Sequence, residues 1–167
     1  MQTIEKPRIA IFVDVQNIYY TCKESYGKNF DYNAFWAKMQ ELYTIDSAIA
    51  YAIYRGDEKQ SQFQNILRAI GFEVKLKPFI QRRDGSAKGD WDVGITIDML
   101  ENARKVDKMV LLSGDGDFAL LLGHLAHNYQ ISCDVYGAEH LTADVLKNAA
   151  ENFYCIDDGL LLNNRRE

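Results

Sequence analysis

Short apolar runs rich in β-branched residues recur along the chain at 8–14 (RIAIFVD), 47–54 (SAIAYAIY), 72–80 (FEVKLKPFI), 108–112 (KMVLL) and 131–136 (ISCDVY). Runs of this length between polar or turn-forming residues predict strands, and their near-continuous apolarity predicts burial on both faces of a sheet. Between them apolar residues repeat at intervals of three and four: Phe35, Met39, Leu42 and Tyr43, then Phe63, Ile66, Leu67 and Ile70, then Phe118, Leu121, Leu122 and Leu125. That period belongs to helices with one apolar face. Strand and helix alternate, so the expected fold class is α/β, a three-layer α/β/α sandwich around a mostly parallel central sheet of five or six strands. A last helix near 142–150 leads to a short edge strand at 153–156.

One connection reads two ways. WDVGITIDML sets Trp91, Val93, Ile95, Ile97 and Met99 at alternate positions, a strand pattern when taken alone. A helix from Asp90 to about Arg104 instead places Val93, Ile97 and Leu100 on one face and supplies the crossover that two parallel strands require. Helix is the expectation.

Composition narrows the picture further. A chain of 167 residues with 47% hydrophobic residues and only 2 Pro fits one compact domain over 1–167, with a core of about 8–157 and a short solvated tail at 158–167. Cys22, Cys133 and Cys155 are odd in number and far apart, which suggests neither a disulfide framework nor a zinc site, but reduced thiols in a cytoplasmic protein. No apolar run approaches the ~20 residues that span a bilayer, so no membrane partner is expected. With 19 Lys and Arg against 24 Asp and Glu, the net charge is -5, and any polyanion must be met by a local patch or by bound cations.

In an open α/β sheet ligands bind beyond the carboxyl ends of the strands, where strand order reverses. Asp14 closes the first strand in FVDVQN, Asp115 and Asp117 follow the fourth in SGDGDF, and Asp92 opens the third connecting helix in KGDWDVG. Taken singly, Asp14, Asp92, Asp115 and Ser113 are good helix N-caps. Taken together, four carboxylates at one point repel and stay ionised only if cations or protons compensate them. Oxygen-only ligation points to a hard ion, Mg²⁺ or Mn²⁺. Gly114 and Gly116 suit a sharp turn and close approach to a ligand, and Asn17 is placed to hold Asp14 or a metal-bound water. Asp98 lies on a different face of the helix from Asp92, which favours a buried hydrogen-bonding role behind the site.

The stretch KLKPFIQRRDGSAKGD carries Lys75, Lys77, Arg82, Arg83 and Lys88 and runs straight to Asp92. A basic loop beside an acidic metal site suits a phosphodiester, whose flanking phosphates the loop would hold. Tyr19, Tyr20, Tyr26 and Phe30 are candidates for base stacking as well as for packing. His124 and His127 lack a third ligand and read as ordinary surface or half-buried histidines.

The motifs FVDVQN, KGDWDVGITIDML and SGDGDF, in this order, together with the closing ENFYCIDD, resemble those of the NYN domain family, in particular its LabA-like branch, from about Arg8 to Asp157. That family belongs to the PIN-like nuclease superfamily of metal-dependent ribonucleases. The resemblance maps Asp14, Asp92, Asp115 and Asp117 onto the family's acidic positions, with Asn17, Asp98 and Ser113 in support. The family's common D-G-x-N opening reads Asp14, Val15, Gln16, Asn17 here, without the glycine.

The leading expectation is a ribonuclease in which Mg²⁺ or Mn²⁺ ions held by the aspartates activate water, with RNA as partner and DNA as a second substrate class. A homodimer is compatible with the many Tyr and Phe, but no sequence feature places an interface. One alternative is a non-catalytic RNA- or protein-binding regulatory module on the same fold. Another is a haloacid-dehalogenase-like phosphatase, which needs an acid two residues after the nucleophilic Asp, where this chain has Gln16.

Overall fold

The computed structural model describes residues 5–78, 80–81, 87–88 and 90–163. Six strands form one parallel sheet: β1 (Arg8–Asp14), β2 (Thr44–Tyr54), β3 (Glu73–Pro78), β6 (Lys108–Leu112), β7 (Ser132–Gly137) and β8 (Asn152–Cys155). Their order across the sheet is β3-β2-β1-β6-β7-β8. The chain therefore builds outward from β1 in one direction, then returns and builds outward in the other. Two two-residue strands, β4 (Ile80–Gln81) and β5 (Ala87–Lys88), pair antiparallel between β3 and the next helix.

The helices follow that reversal. α1 (Val15–Tyr26), α2 (Tyr32–Leu42) and α3 (Glu58–Ile70) share one core with Ile9, Ile11 and Val13 of β1. α4 (Asp92–Asn102), α5 (Phe118–Tyr129) and α6 (Asp144–Ala149) share the other with Ala10 and Phe12. Alternate residues of β1 thus feed opposite layers, as the two-residue period of a strand requires. Crossovers of one hand put their helices on opposite faces when the direction of building reverses. The crevice at that reversal, between β1 and β6, is where ligands bind in sheets of this kind.

α4 is a helix, but it turns a different face inward from the one expected. Ile95 and Met99 are buried, whereas Val93 is 71% and Ile97 50% exposed. Trp91 accounts for the rotation: its Nε1 donates to the Ala52 carbonyl at 2.8 Å and its ring lies 5.3 Å from that of Tyr51. A Cβ on Gly94 would lie 2.5 Å from that ring, so the glycine leaves room for Trp91 to fold back over its own helix. Farther along, the Tyr51 hydroxyl and the Lys75 ammonium each donate to Asp98 Oδ2 at 2.7 Å. Tyr51 and Lys75 are paired neighbours on β2 and β3, so one carboxylate ties α4 to two strands. Burial first, then the Asp98 bond, raises the Tyr51 pKa and keeps its hydroxyl a donor; the same carboxylate raises the pKa of Lys75.

Two further expectations change. Gly114 and Gly116 do not adopt positive φ. They permit close packing against the segment after β7 instead: a Cβ on Gly114 would lie 2.5 Å from the Leu141 carbonyl oxygen, and one on Gly116 would lie 2.9 Å from the Ala143 Cβ. The tail is not solvated from 158 onward either. Leu160 and Leu161 are buried, Leu161 bridges to Phe30, and the Asp31 N–H donates to the Leu160 carbonyl at 2.8 Å. Among the described residues no helix is long and apolar enough to cross a membrane.

Gly114→Ala forces a side chain against backbone atoms that cannot rotate away, and is expected to destabilise the protein by roughly 1–3 kcal/mol, read as a lower denaturant midpoint. Asp98→Ala leaves the Tyr51 hydroxyl and Lys75 without their acceptor and should cost roughly 2 kcal/mol by the same measurement. A Gly114→Ala midpoint equal to wild type would refute the close approach, and an unchanged Asp98→Ala midpoint would refute the anchor.

Candidate functional site

Asp14 is the last residue of β1, and Ser113 to Asp117 follow the adjacent β6, so the strand ends themselves bring these groups together. Asp92 arrives from a third segment as the first residue of α4. Hydrogen bonds from uncharged donors fix the junction. Ser113, fully buried, donates from Oγ to Asp14 Oδ2 at 3.3 Å and accepts the Asp115 N–H at 3.2 Å. Asn17 donates its backbone N–H to Asp14 Oδ1 at 3.4 Å, and its side-chain Oδ1 accepts the Gly114 N–H at 2.8 Å. Asn17 therefore laces the start of α1 to the turn after β6. Asp115 Oδ1 in turn accepts the Asp117 N–H at 2.9 Å.

These contacts divide the capping roles from the rest. Asp14 does cap α1, and Asp115 stabilises the turn into α5, while Asp92 and Asp117 form no cap bond. One carboxylate oxygen from each of Asp92, Asp115 and Asp117 lies within 4.8 Å of the other two. Asp14 stands beside this trio in a cleft of about 270 Å³ that is also lined by Gln16, Asn17, Tyr20, Thr21, Asp90, Asp92 and Asp115.

The electrostatics are those of crowded, uncompensated carboxylates. Burial, and then the hydrogen bond and charge of Asp115 with the charges of Asp90 and Asp14, raise the Asp92 pKa from 3.8 to about 7. Burial raises Asp14 to about 6, partly opposed by the hydrogen bonds from Asn17 and Ser113 and reinforced by Asp115 and Asp90. A cleft of carboxylate oxygens with no sulfur and no imidazole among its lining residues has the donor chemistry of a hard divalent cation. Such an ion would offset both the burial and the repulsion that raise the two groups. The residues present fit it.

The other residues singled out in the sequence fall in several places. Asp98 is outside the cleft lining and serves the α4 anchor. Lys75 is ion-paired with Asp98 at 2.7 Å, so its ammonium is committed there. Lys77 donates to the Asp90 carbonyl at 2.7 Å and lies 4.5 Å from the centre of the Trp91 ring, next to the segment that enters the cleft. Arg82, Arg83 and the side chain of Lys88 lie outside the described residues. His124 and His127 are exposed on α5, where His124 Nδ1 contacts Asn128 Nδ2. Asp90 is the residue that sequence reasoning missed. It closes the stretch KLKPFIQRRDGSAKGD, yet it lines the cleft and its Oδ1 accepts the Asp92 N–H at 3.3 Å. Its place two residues ahead of a helix-opening Asp was the available signal.

Known proteins resemble this chain over nearly all of its length. A crystal structure of a protein of unknown function from Vibrio parahaemolyticus superposes with a TM-score of 0.90 at 56% identity, covering 97% of this chain and 100% of that one. The low amplitude and bright protein LabA of Synechococcus elongatus is 28% identical over 160 residues, 90% of this chain and 84% of LabA. The family model of the NYN domain matches residues 8–157, a span that runs from the first strand past the last and takes in every carboxylate of the cleft. A PIN-like three-layer sheet with its acidic residues at the β1/β6 crevice is thus the frame on which this member of the NYN domain family is built.

Proposed function

We propose that this protein is a metal-dependent nuclease that hydrolyses phosphodiester bonds of RNA at the β1/β6 crevice. The observation that carries the reading is the convergence of Asp92, Asp115 and Asp117 oxygens within 4.8 Å, with Asp14 lining the same cleft as Asp92 and Asp115. Membership in a PIN-like nuclease family supports the reaction class. Asp92, Asp115 and Asp117 would hold Mg²⁺ or Mn²⁺, with Asp14 completing the acidic wall. When bound, such an ion supplies Lewis-acid polarisation of the phosphate and a lowered pKa for attacking water.

The chain's own residues do the positioning. Ser113 and Asn17 fix the Asp14 carboxylate through its two oxygens, so its orientation does not depend on solvent. Asn17 also fixes the Gly114 N–H, and thereby the turn that presents Asp115 and Asp117. Asp98 acts at a distance, by holding α4 so that Asp92 faces the cleft. Lys77, with Arg82, Arg83 and Lys88 of the same loop, is assigned to flanking phosphates, while Lys75 is left to Asp98. Gln16 lines the cleft at the position where a phosphatase of the haloacid-dehalogenase kind needs an acid, which favours the nuclease over that alternative.

Wild type should cleave end-labelled RNA in Mn²⁺ or Mg²⁺ but not in EDTA, leaving 5′-phosphate and 3′-hydroxyl ends. Asp115→Asn, purified identically and still folded, should lose at least about 100-fold of that activity. Metal-independent cleavage, or an equally active variant, would contradict the assignment. Saturable RNA binding without cleavage would move the protein to the binding-module class.

A second prediction concerns stability. A carboxyl whose pKa is raised by folding favours the native state while protonated, and that contribution fades as pH rises through the folded value. Metal-free protein should therefore lose stability between about pH 4 and 7, from Asp14 and Asp92 together. Mn²⁺ at pH 7.5 should restore it. In EDTA at that pH Asp92→Asn should melt higher than wild type. A melting temperature that ignores pH, metal and this substitution would refute the electrostatic account.

A further inference from the structure

The cleft has two unlike walls. One carries the carboxylates, Asp14, Asp90, Asp92 and Asp115; the other, from α1, is neutral and consists of Gln16, Asn17, Tyr20 and Thr21. Asn17 is occupied with Gly114, and Thr21 Oγ1 donates to the Asn17 carbonyl at 2.7 Å. Gln16 and Tyr20 are the members of this wall whose side chains form no hydrogen bond among the described residues. Tyr20 is 53% exposed, a large aromatic surface left in water at the mouth of a polar cleft. Tyr19, 50% exposed, stands edge-on to it with ring centres 5.4 Å apart.

Four aromatics near this end of the chain were candidates for stacking, and the structure separates them. Phe30 is buried, in an edge contact with Tyr32. Tyr26 lines a different cavity, with its hydroxyl 3.7 Å from Cys155 Sγ. Tyr19 supports Tyr20 from outside the cleft lining. Tyr20 alone of the four lines the acidic cleft.

We infer that Tyr20 is a base-stacking platform, on which an unpaired base of the substrate lies while its phosphate sits at the carboxylates, so that the site takes single-stranded in preference to duplex nucleic acid. This rests on the nuclease reading above. A neutral wall suits a neutral base, whereas the phosphate belongs with the cation on the acidic wall. The placement is compatible, because Tyr20, about 6 Å of axial rise beyond Gln16 on α1, lines the same cleft as Asp14, Asp92 and Asp115. A base in a duplex is already stacked on both faces and offers none to Tyr20 until it is extruded. Gln16, whose amide forms no hydrogen bond among the described residues, lines the same cleft and offers a donor and an acceptor to the edge of the stacked base.

The test compares wild type, Tyr20→Ala and Tyr20→Phe on three labelled probes: a single-stranded RNA, the same RNA with abasic sites, and its duplex. Affinity is read by fluorescence anisotropy with each chain carrying Asp115→Asn to prevent cleavage, and KM and kcat are read with Asp115 intact. The ring is exposed, so Tyr20→Ala should leave the melting temperature unchanged. Stacking on one base predicts that Tyr20→Ala weakens single-strand binding roughly 5- to 100-fold through KM, and that Tyr20→Phe stays within about twofold of wild type. On abasic RNA the three chains should bind alike, and duplex should bind more weakly than single strand to wild type. Indifference of single-strand binding to Tyr20→Ala, or an equal loss on abasic RNA, overturns the stacking platform while leaving metal-dependent cleavage in place. No binding and no cleavage of any probe by wild type overturns the nuclease reading and the platform together.

Discussion

Mutual repulsion among the carboxylates at the β1/β6 crevice is the constraint around which this protein is arranged. Asp14, Asp92 and Asp115 reach one cleft from three separate chain segments, and each would be more stable apart. Among the described residues no lysine or arginine lines the cleft. The links have uncharged donors: Ser113 to Asp14, the Gly114 N–H to Asn17, and the Asp117 N–H to Asp115. Close backbone packing of Gly114 against Leu141 seats the turn from behind. Because no side-chain cation sits among the described lining residues, the negative charge remains available to a ligand, and the raised pKa values of Asp14 and Asp92 record first their burial and then their mutual crowding.

Cations instead work one layer away. Lys75 is bound by Asp98, and that pair with Tyr51 anchors α4 to β2 and β3. Trp91 pins the start of the same helix to the Ala52 carbonyl. Asp92 is the next residue, so its place in the cleft follows from two contacts at a distance from it.

Much of this architecture is legible in the sequence, for physical reasons. A strand buried on both faces must be apolar throughout, so RIAIFVD and KMVLL identify themselves. The strands' carboxyl ends then place Asp14 and Asp115 by topology alone. Sequence periodicity failed where a tertiary contact overrode it: in α4 the packing of Trp91 on Tyr51 turned Ile95 and Met99 inward and left Val93 and Ile97 in water. It failed again at Lys75, because an ion pair between residues 23 apart leaves no local signature. The glycines of SGDGDF were legible as special positions, but their reason, contact with the segment near Leu141, lies in another part of the chain.

Calorimetric titration of Mn²⁺ into metal-free wild type at pH 7, repeated in two buffers of different ionisation enthalpy, tests the central claim most directly. Asp92 titrates at about 7 in the metal-free cleft, so binding must displace a fraction of a proton, and the apparent enthalpy must differ between the buffers by that fraction. Asp92→Asn should weaken binding and shrink the difference to the smaller share that Asp14 contributes. Mn²⁺ binding that releases no proton would contradict the raised pKa values, and no binding at all would contradict the view that these carboxylates are gathered to hold a cation.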